Sequence, residues 1–309
     1  MQDHTNLTNV NLVFATPRKL PAARDLAGRV VVLDIAFASN ATKNGFERIT
    51  LPLITDLGPR LAAWIDHHDH DEHSRYRDDP RFVLCNKADH GSCTEMITPQ
   101  MVQSAGPIDT IVLHTDFDGL ACAAKWVRGG AEPYQGCDND AFAIDTRLGQ
   151  PSAQADLIDR ALRARPYDNA LFGIVVRHLS HGLEDPSLWH PIRQAADELQ
   201  AIETETRKLA NSFVRIPPGV AFIDISKRRS KIDKTLILLI GQEREPIAMV
   251  VDRDTISIAA RFDSGVNLLK LLGLSGGMPT RVAIPRSNLP AVCRGLGFDV
   301  ADVEELLVM

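Results

Sequence analysis

Apolar positions fall into two regimes along this 309-residue chain. In the first half they come as short unbroken runs between polar or helix-forming stretches: Arg29–Ile35, Leu61–Ile65, Phe82–Leu84 and Thr110–His114. Runs without alternation suit strands covered on both faces, so the pattern predicts a mostly parallel sheet in an α/β domain. Small and apolar residues from Gly119 to Val127 predict the helix after the last of these strands. From Pro186 to Val214 the period changes. Ile192, Ala195, Leu199, Ile202, Leu209 and Phe213 recur at three, four and seven, with no glycine or proline after Pro191. One long amphipathic helix is expected, stopped by Ile216-Pro217-Pro218-Gly219. Beyond it, Val220–Ile225, Thr235–Ile240, Ile247–Val251 and Ile256–Ala260 read as four successive strands. A helix at Val266–Leu272, a glycine turn and a strand at Thr280–Ile284 follow. The expected organisation is an α/β domain over residues 1–185, a connecting helix over 186–215 and a smaller α+β domain over 216–309.

Composition narrows the class of protein. A hydrophobic share of 44% and a charged share of 24% belong to a folded chain. The net charge of −6 excludes a general duplex-binding surface, which needs a basic face, but leaves room for a phosphate site neutralised by metal. Five cysteines, an odd number with no CxxC pair, point to reduced thiols and a cytoplasmic location. Met1 to Leu20 lacks a basic segment followed by an apolar run, so no secretory signal is expected. Apolar runs such as Thr235 to Gly241 are far too short to cross a bilayer, and the sequence reads as soluble, with no membrane partner.

Candidate chemistry sits in three clusters at the ends of expected strands, where open α/β sheets place ligand sites. They are Asp34 after VVVL, Asp66-His67-His68 after LAAWI, and His114-Thr115-Asp116-Phe117-Asp118-Gly119 after TIVL. Mixed carboxylates and imidazoles suit Mn²⁺ and similar divalent ions. Two such ions about 3.5–4 Å apart can hold the attacking and leaving oxygens of a phosphoryl transfer. Gly119 lets the backbone pass close to such a site. Each cluster also has a plainer reading. Asp34 is a cap or turn residue, DHHDHDEH (66–73) is a solvated loop, and HTDFDG is an ordinary strand-to-helix turn. Their joint occurrence after apolar strands favours the metal site. His70 and His73 read as loop residues, and His178 and His181 as packed or surface groups. Lys227-Arg228-Arg229 with Lys231 reads either as a solvated hairpin tip or as a guide for an oligonucleotide. Cys85, Cys93 and His90 lack zinc-site spacing.

These motifs resemble those of the DHH phosphoesterases, which include RecJ-like exonucleases, nano-RNases and cyclic-dinucleotide phosphodiesterases. The resemblance rests on HTDFDG (114–119), LD (33–34), DHH (66–68), the ADHGSCTEMI segment (88–97) and a C-terminal stretch, Ile256 to Pro285, like the DHH-associated domain. It covers most of the chain. In the family HxDxDG comes first; here it follows the lone aspartate and DHH, an order that circular permutation of the catalytic domain reconciles. The resemblance implies a metal-dependent hydrolase of nucleotides or short single-stranded oligonucleotides. A RecJ-like exonuclease, a manganese pyrophosphatase and a decayed nucleotide-binding regulator are the alternatives. It further implies two divalent cations, Mn²⁺ first and Mg²⁺ or Co²⁺ next. His114 and Asp116 would bind one, and His67, Asp118 and Asp145 the other, with Asp34 bridging. Asp145 is taken from AFAIDTRLG as the family's aspartate after a hydrophobic strand, with Asp138 and Asp140 as competitors. His68 would face substrate phosphate and Asp66 would orient an imidazole. Arg261, Ser275, Gly276 and Gly277 would contact substrate, with Met278 where the family has histidine. Oligomeric state stays open, a homo-oligomer included.

Overall fold

The computed structural model describes residues 6–7, 10–41 and 43–308. The chain divides into two compact units, Met1–Ser39 with Asn44–Leu199, and Asn40–Lys43 with Gln200–Met309. The first runs through β1 (Asn6–Leu7), β2 (Val10–Phe14), β3 (Val30–Leu33), α1 (Leu51–Leu57), β4 (Leu61–Asp66), β5 (Phe82–Leu84), α2 (Pro99–Ala105) and β6 (Thr110–Leu113). Helices α3 (Phe117–Val127), α4 (Cys137–Thr146), α5 (Ala153–Ala164), α6 (Asn169–Ser180) and α7 (Pro186–Ala210) follow. The division between the units falls within α7.

Strands lie in the order β1-β2-β6-β3-β4-β5, and β2 through β5 are parallel. Each apolar run serves two cores because successive side chains point to opposite faces. Val31, Leu33, Ala63, Ile65, Ile111 and Leu113 pack with Leu120, Phe172 and Val176 of α3 and α6. Val30, Val32, Trp64 and Val112 pack on the other face with Phe37, Phe46, Leu53 and Leu57. That double covering is why these runs show no polar alternation. Register is level at the carboxyl ends: Leu33 lies opposite both Leu113 and Ile65. The ladder continues one step further, with Asp34 N donating to Ile65 O at 2.9 Å and His114 N to Leu33 O at 3.3 Å.

The second unit contains β7 (Val214–Ile216), β8 (Val220–Asp224), α8 (Lys234–Gln242), β9 (Ile247–Val251), β10 (Thr255–Ala260), α9 (Leu268–Leu272), β11 (Arg281–Pro285), α10 (Leu289–Leu296) and α11 (Val300–Val308). Its sheet runs β11-β10-β9-β8-β7, with β8 and β9 parallel and the other pairs antiparallel. One expectation is overturned here: Thr235–Ile240 is not a strand but the body of α8. Asp233 caps it, its Oδ1 accepting from the amides of Thr235 and Leu236 at 3.0 Å each. Parallel β8 and β9 require a crossover, and α8 supplies it, burying Ile237, Leu238 and Gly241. The fold is therefore α/β, a mostly parallel sheet followed by a smaller mixed one. Among the described residues no helix is long and apolar enough to cross a membrane.

Candidate metal centre

Because β3, β4 and β6 stop level, the residues that follow them meet at one edge of the sheet. Asp34 follows β3 with φ at +55°, a left-handed conformation that aspartate tolerates better than most side chains but that still costs energy. It turns the chain sharply and leaves the carboxylate inside, 2% exposed. His67, one residue past β4, is 0% exposed and faces it, with Nε2 3.2 Å from Asp34 Oδ1. The same nitrogen lies 3.5 Å from Asp118 Oδ2 and 3.5 Å from Asp145 Oδ2.

The tautomer of His67 decides what this cluster is. Nδ1 lies 3.0 Å from the carbonyl oxygen of His90, which can only accept, so Nδ1 carries the proton. In the neutral ring Nε2 then presents a lone pair to three carboxylate oxygens. Acceptors facing acceptors in a buried place call for positive charge among them. The carbonyl behind the ring is the partner that metal-binding histidines commonly have. Asp34 Oδ1 is fully buried without a hydrogen-bond partner, an orphan that a cation would satisfy.

Three overlapping sets of side chains offer ligand atoms that lie within 4.8 Å of one another: Asp34, His114 and Asp116; His67, Asp118 and Asp145; and Asp34, His67 and His68. Asp34 and His67 each belong to two of them. The sets differ in depth. Asp118 and His67 are sealed, while the side chains of His114 and Asp116 are 26% and 45% exposed, so an ion on the latter pair would keep open coordination positions.

Helix α3 builds much of the centre. Asp116 caps it through Gly119 N at 3.0 Å and holds His114 Nδ1 at 2.8 Å. Asp118, in the first turn, accepts from the amides of Cys93 and Thr94 at 2.7 and 3.0 Å. The ADHGSCTEMI segment is thus tied to the cluster by its backbone. Gly119 is required by crowding, since a Cβ there would stand 2.6 Å from His114 O. Asp66 is 0% exposed and holds His68 Nδ1 at 2.8 Å.

The last ligand candidate needs a correction of setting. Asp145 does not follow a strand; AFAIDT is the end of α4. The helix still delivers its carboxylate to His67. The competitors are engaged elsewhere: Asp138 with Lys125 at 2.5 Å, Asp140 with Tyr134 Oη at 2.8 Å and Ser152 Oγ at 2.6 Å. Arg261, Ser275, Gly276 and Gly277 belong to the second unit. There Arg261 is exposed and paired with Asp263 at 2.9 Å. Ser275 N donates to Asn40 Oδ1 at 2.8 Å, and Gly276 and Gly277 have φ of +96° and +119°.

Lys87 was not visible as a site residue. It follows β5, is 1% exposed and ion-pairs with Asp145, with Nζ 2.9 Å from His67 Nε2. A single lysine in CNKADHG has no motif to mark it; its signal is only that it immediately precedes a segment of the resemblance.

Electrostatics reflect crowding of like charge. Burial, then the Asp116 carboxylate, push Asp34 up to about 7. Burial, with Asp34 close by, also raises Asp118 well above the carboxylate range. Burial alone would lower Lys87, but Asp145, Asp118 and Asp34 outweigh it and raise its pKa. Burial opposes ionisation of Asp66 too, yet His68 holds it below its ordinary value.

No family model matches the chain, and no curated protein matches it. Among solved structures, it resembles PggH, a pGpG-specific phosphodiesterase from Vibrio cholerae. The alignment covers 91% of this chain and 98% of that one, at 11% identity and a TM-score of 0.40. A likeness so distant assigns no activity.

Proposed function

We propose that the protein is a divalent-metal-dependent phosphoesterase acting on nucleotides or short single-stranded oligonucleotides. The observation that carries this is the lone pair of His67 and the orphaned Asp34 oxygen turned toward one another among further carboxylates, at the level ends of three adjacent parallel strands. Asp34, His114 and Asp116 would hold a cation, Mn²⁺ by the mixture of imidazole and carboxylate, with Mg²⁺ or Co²⁺ as alternatives. A bound ion would supply Lewis acidity and a more acidic water. His68, its Nδ1 held by Asp66, keeps Nε2 for a proton or for a phosphate oxygen of the substrate. Support for nucleotides comes from the motif resemblance, and for short ones from the net charge of −6, which leaves few phosphates to be neutralised at once. We assign to substrate binding Arg261, Ser275, Gly276 and Gly277, so Arg261→Ala should raise KM more than it lowers kcat.

The test is hydrolysis with and without Mn²⁺ of dinucleotides, short RNA and DNA, cyclic dinucleotides, 3′-phosphoadenosine 5′-phosphate and pyrophosphate. Turnover is expected on at least one nucleotide, lost on chelation and lost in Asp116→Ala with the fold intact by circular dichroism. Full activity in that variant would remove the metal assignment. Lys87 within the cluster favours a second reading, a nucleotide-binding regulator without turnover; metal-independent nucleotide binding with no hydrolysis would select it.

A further inference from the structure

The deeper ligand set already contains a cation. Lys87 sits among His67, Asp118 and Asp145, and its placement is built rather than incidental. Its backbone N–H donates to Asp69 Oδ2 at 3.3 Å, just past Asp66-His67-His68, and its side chain is 1% exposed. Its Nζ pairs with Asp145 Oδ2, the oxygen that also faces His67 Nε2. It lies 2.9 Å from Nε2 and 3.4 Å from Nδ1 of His67. Near-equal distances to both ring nitrogens place the ammonium against the face of the imidazole, beside the Nε2 lone pair rather than in line with it.

We infer that the Lys87 ammonium takes the place of one of the two cations expected at this centre, so that the protein binds a single divalent ion, on Asp34, His114 and Asp116. This rests on the metal-dependent reading above and deepens it. A second dication on His67, Asp118 and Asp145 would have to displace the lysine from Asp145 or stand directly beside its charge, in a place where little water screens them. A fixed ammonium does part of a second ion's work, offsetting the charge of Asp118 and Asp145 and supporting the shared Asp34, but with only N–H donors to offer it cannot coordinate a water as a metal ion would. The geometry thus separates the ion that can take water or substrate, near the half-exposed pair His114 and Asp116, from an internal positive charge that cannot exchange.

Metal counting tests this without any assay of turnover. Full-length protein stripped with chelator is titrated with MnCl₂, desalted and analysed for Mn per chain, with electron paramagnetic resonance on the same samples. Wild type should hold one ion with the signal of an isolated Mn²⁺. Lys87→Met, close in length but uncharged, should hold two and give an exchange-coupled spectrum. Two coupled ions in wild type would overturn the lysine assignment and leave the metal reading standing; no bound ion would remove the metal reading itself. A folded Lys87→Met protein that still holds one ion would also overturn the assignment. Should that variant fail to fold, the wild-type count and spectrum decide alone.

Discussion

Gly119 shows how little room surrounds the carboxyl edge of the sheet. A methyl group there would press on the His114 backbone at 2.6 Å and its Cβ at 2.8 Å. Gly119→Ala should therefore move His114 off Asp34 and Asp116 and weaken Mn²⁺ binding at least tenfold, measurable by calorimetric titration. A histidine outside this cluster adds a pH dependence to stability. His178 is 0% exposed, stands edge-on to Trp189 at 4.6 Å between ring centroids, and has neither ring nitrogen hydrogen-bonded. Burial pulls its imidazole down to about 4 from 6.5. The unfolded chain binds the proton more readily, so His178 contributes its full stability above 6.5 and loses it as pH falls through 4. Melting between pH 7 and 4.5 should show a drop that His178→Phe reduces by a few degrees; equal slopes would refute the assignment. The lack of motif partners left His178 a packed or a surface role, and the structure gives it the packed one. Lys87 was not legible, because its importance lies in which carboxylates fold around it.

Among elements, those whose apolar residues are covered on both faces were the easiest to read. Runs such as Val30–Leu33 and Thr110–Leu113 are short, β-branched and unbroken, and nothing competes with a strand. The run in α8 is as apolar and unbroken, and length alone cannot separate a buried strand from a short helix. What decides it is Asp233 as a cap and the need for a crossover between parallel β8 and β9. Asp233→Ala should accordingly cost about 1 kcal/mol of stability, read from urea unfolding; no change would mean the cap is dispensable. Helices α4 to α6 went unread, since α4 in particular mixes polar and small residues and presents no clear apolar face. Yet α4 places Asp145, so the one candidate ligand read in the wrong setting is also the one on the least legible element.

At the scale of the molecule, convergence of the three clusters was readable from their position after strands, whereas the order of those strands was not. Loading the centre should stabilise the fold by linkage, about 2.7 kcal/mol at a Mn²⁺ concentration one hundred times Kd. Thermal melts should rise with added Mn²⁺ in wild type and stay flat in Asp116→Ala. The strand order carries one more consequence, for how the protein is made. β6 lies between β2 and β3, which do not pair with each other, although about a hundred residues precede it in the chain. A ribosome that has released only those residues has delivered two strands flanking an open slot, with unpaired amides and carbonyls on each side. Until Thr110–Leu113 emerges to fill it, the nascent domain offers those edges to chaperones or to neighbouring chains.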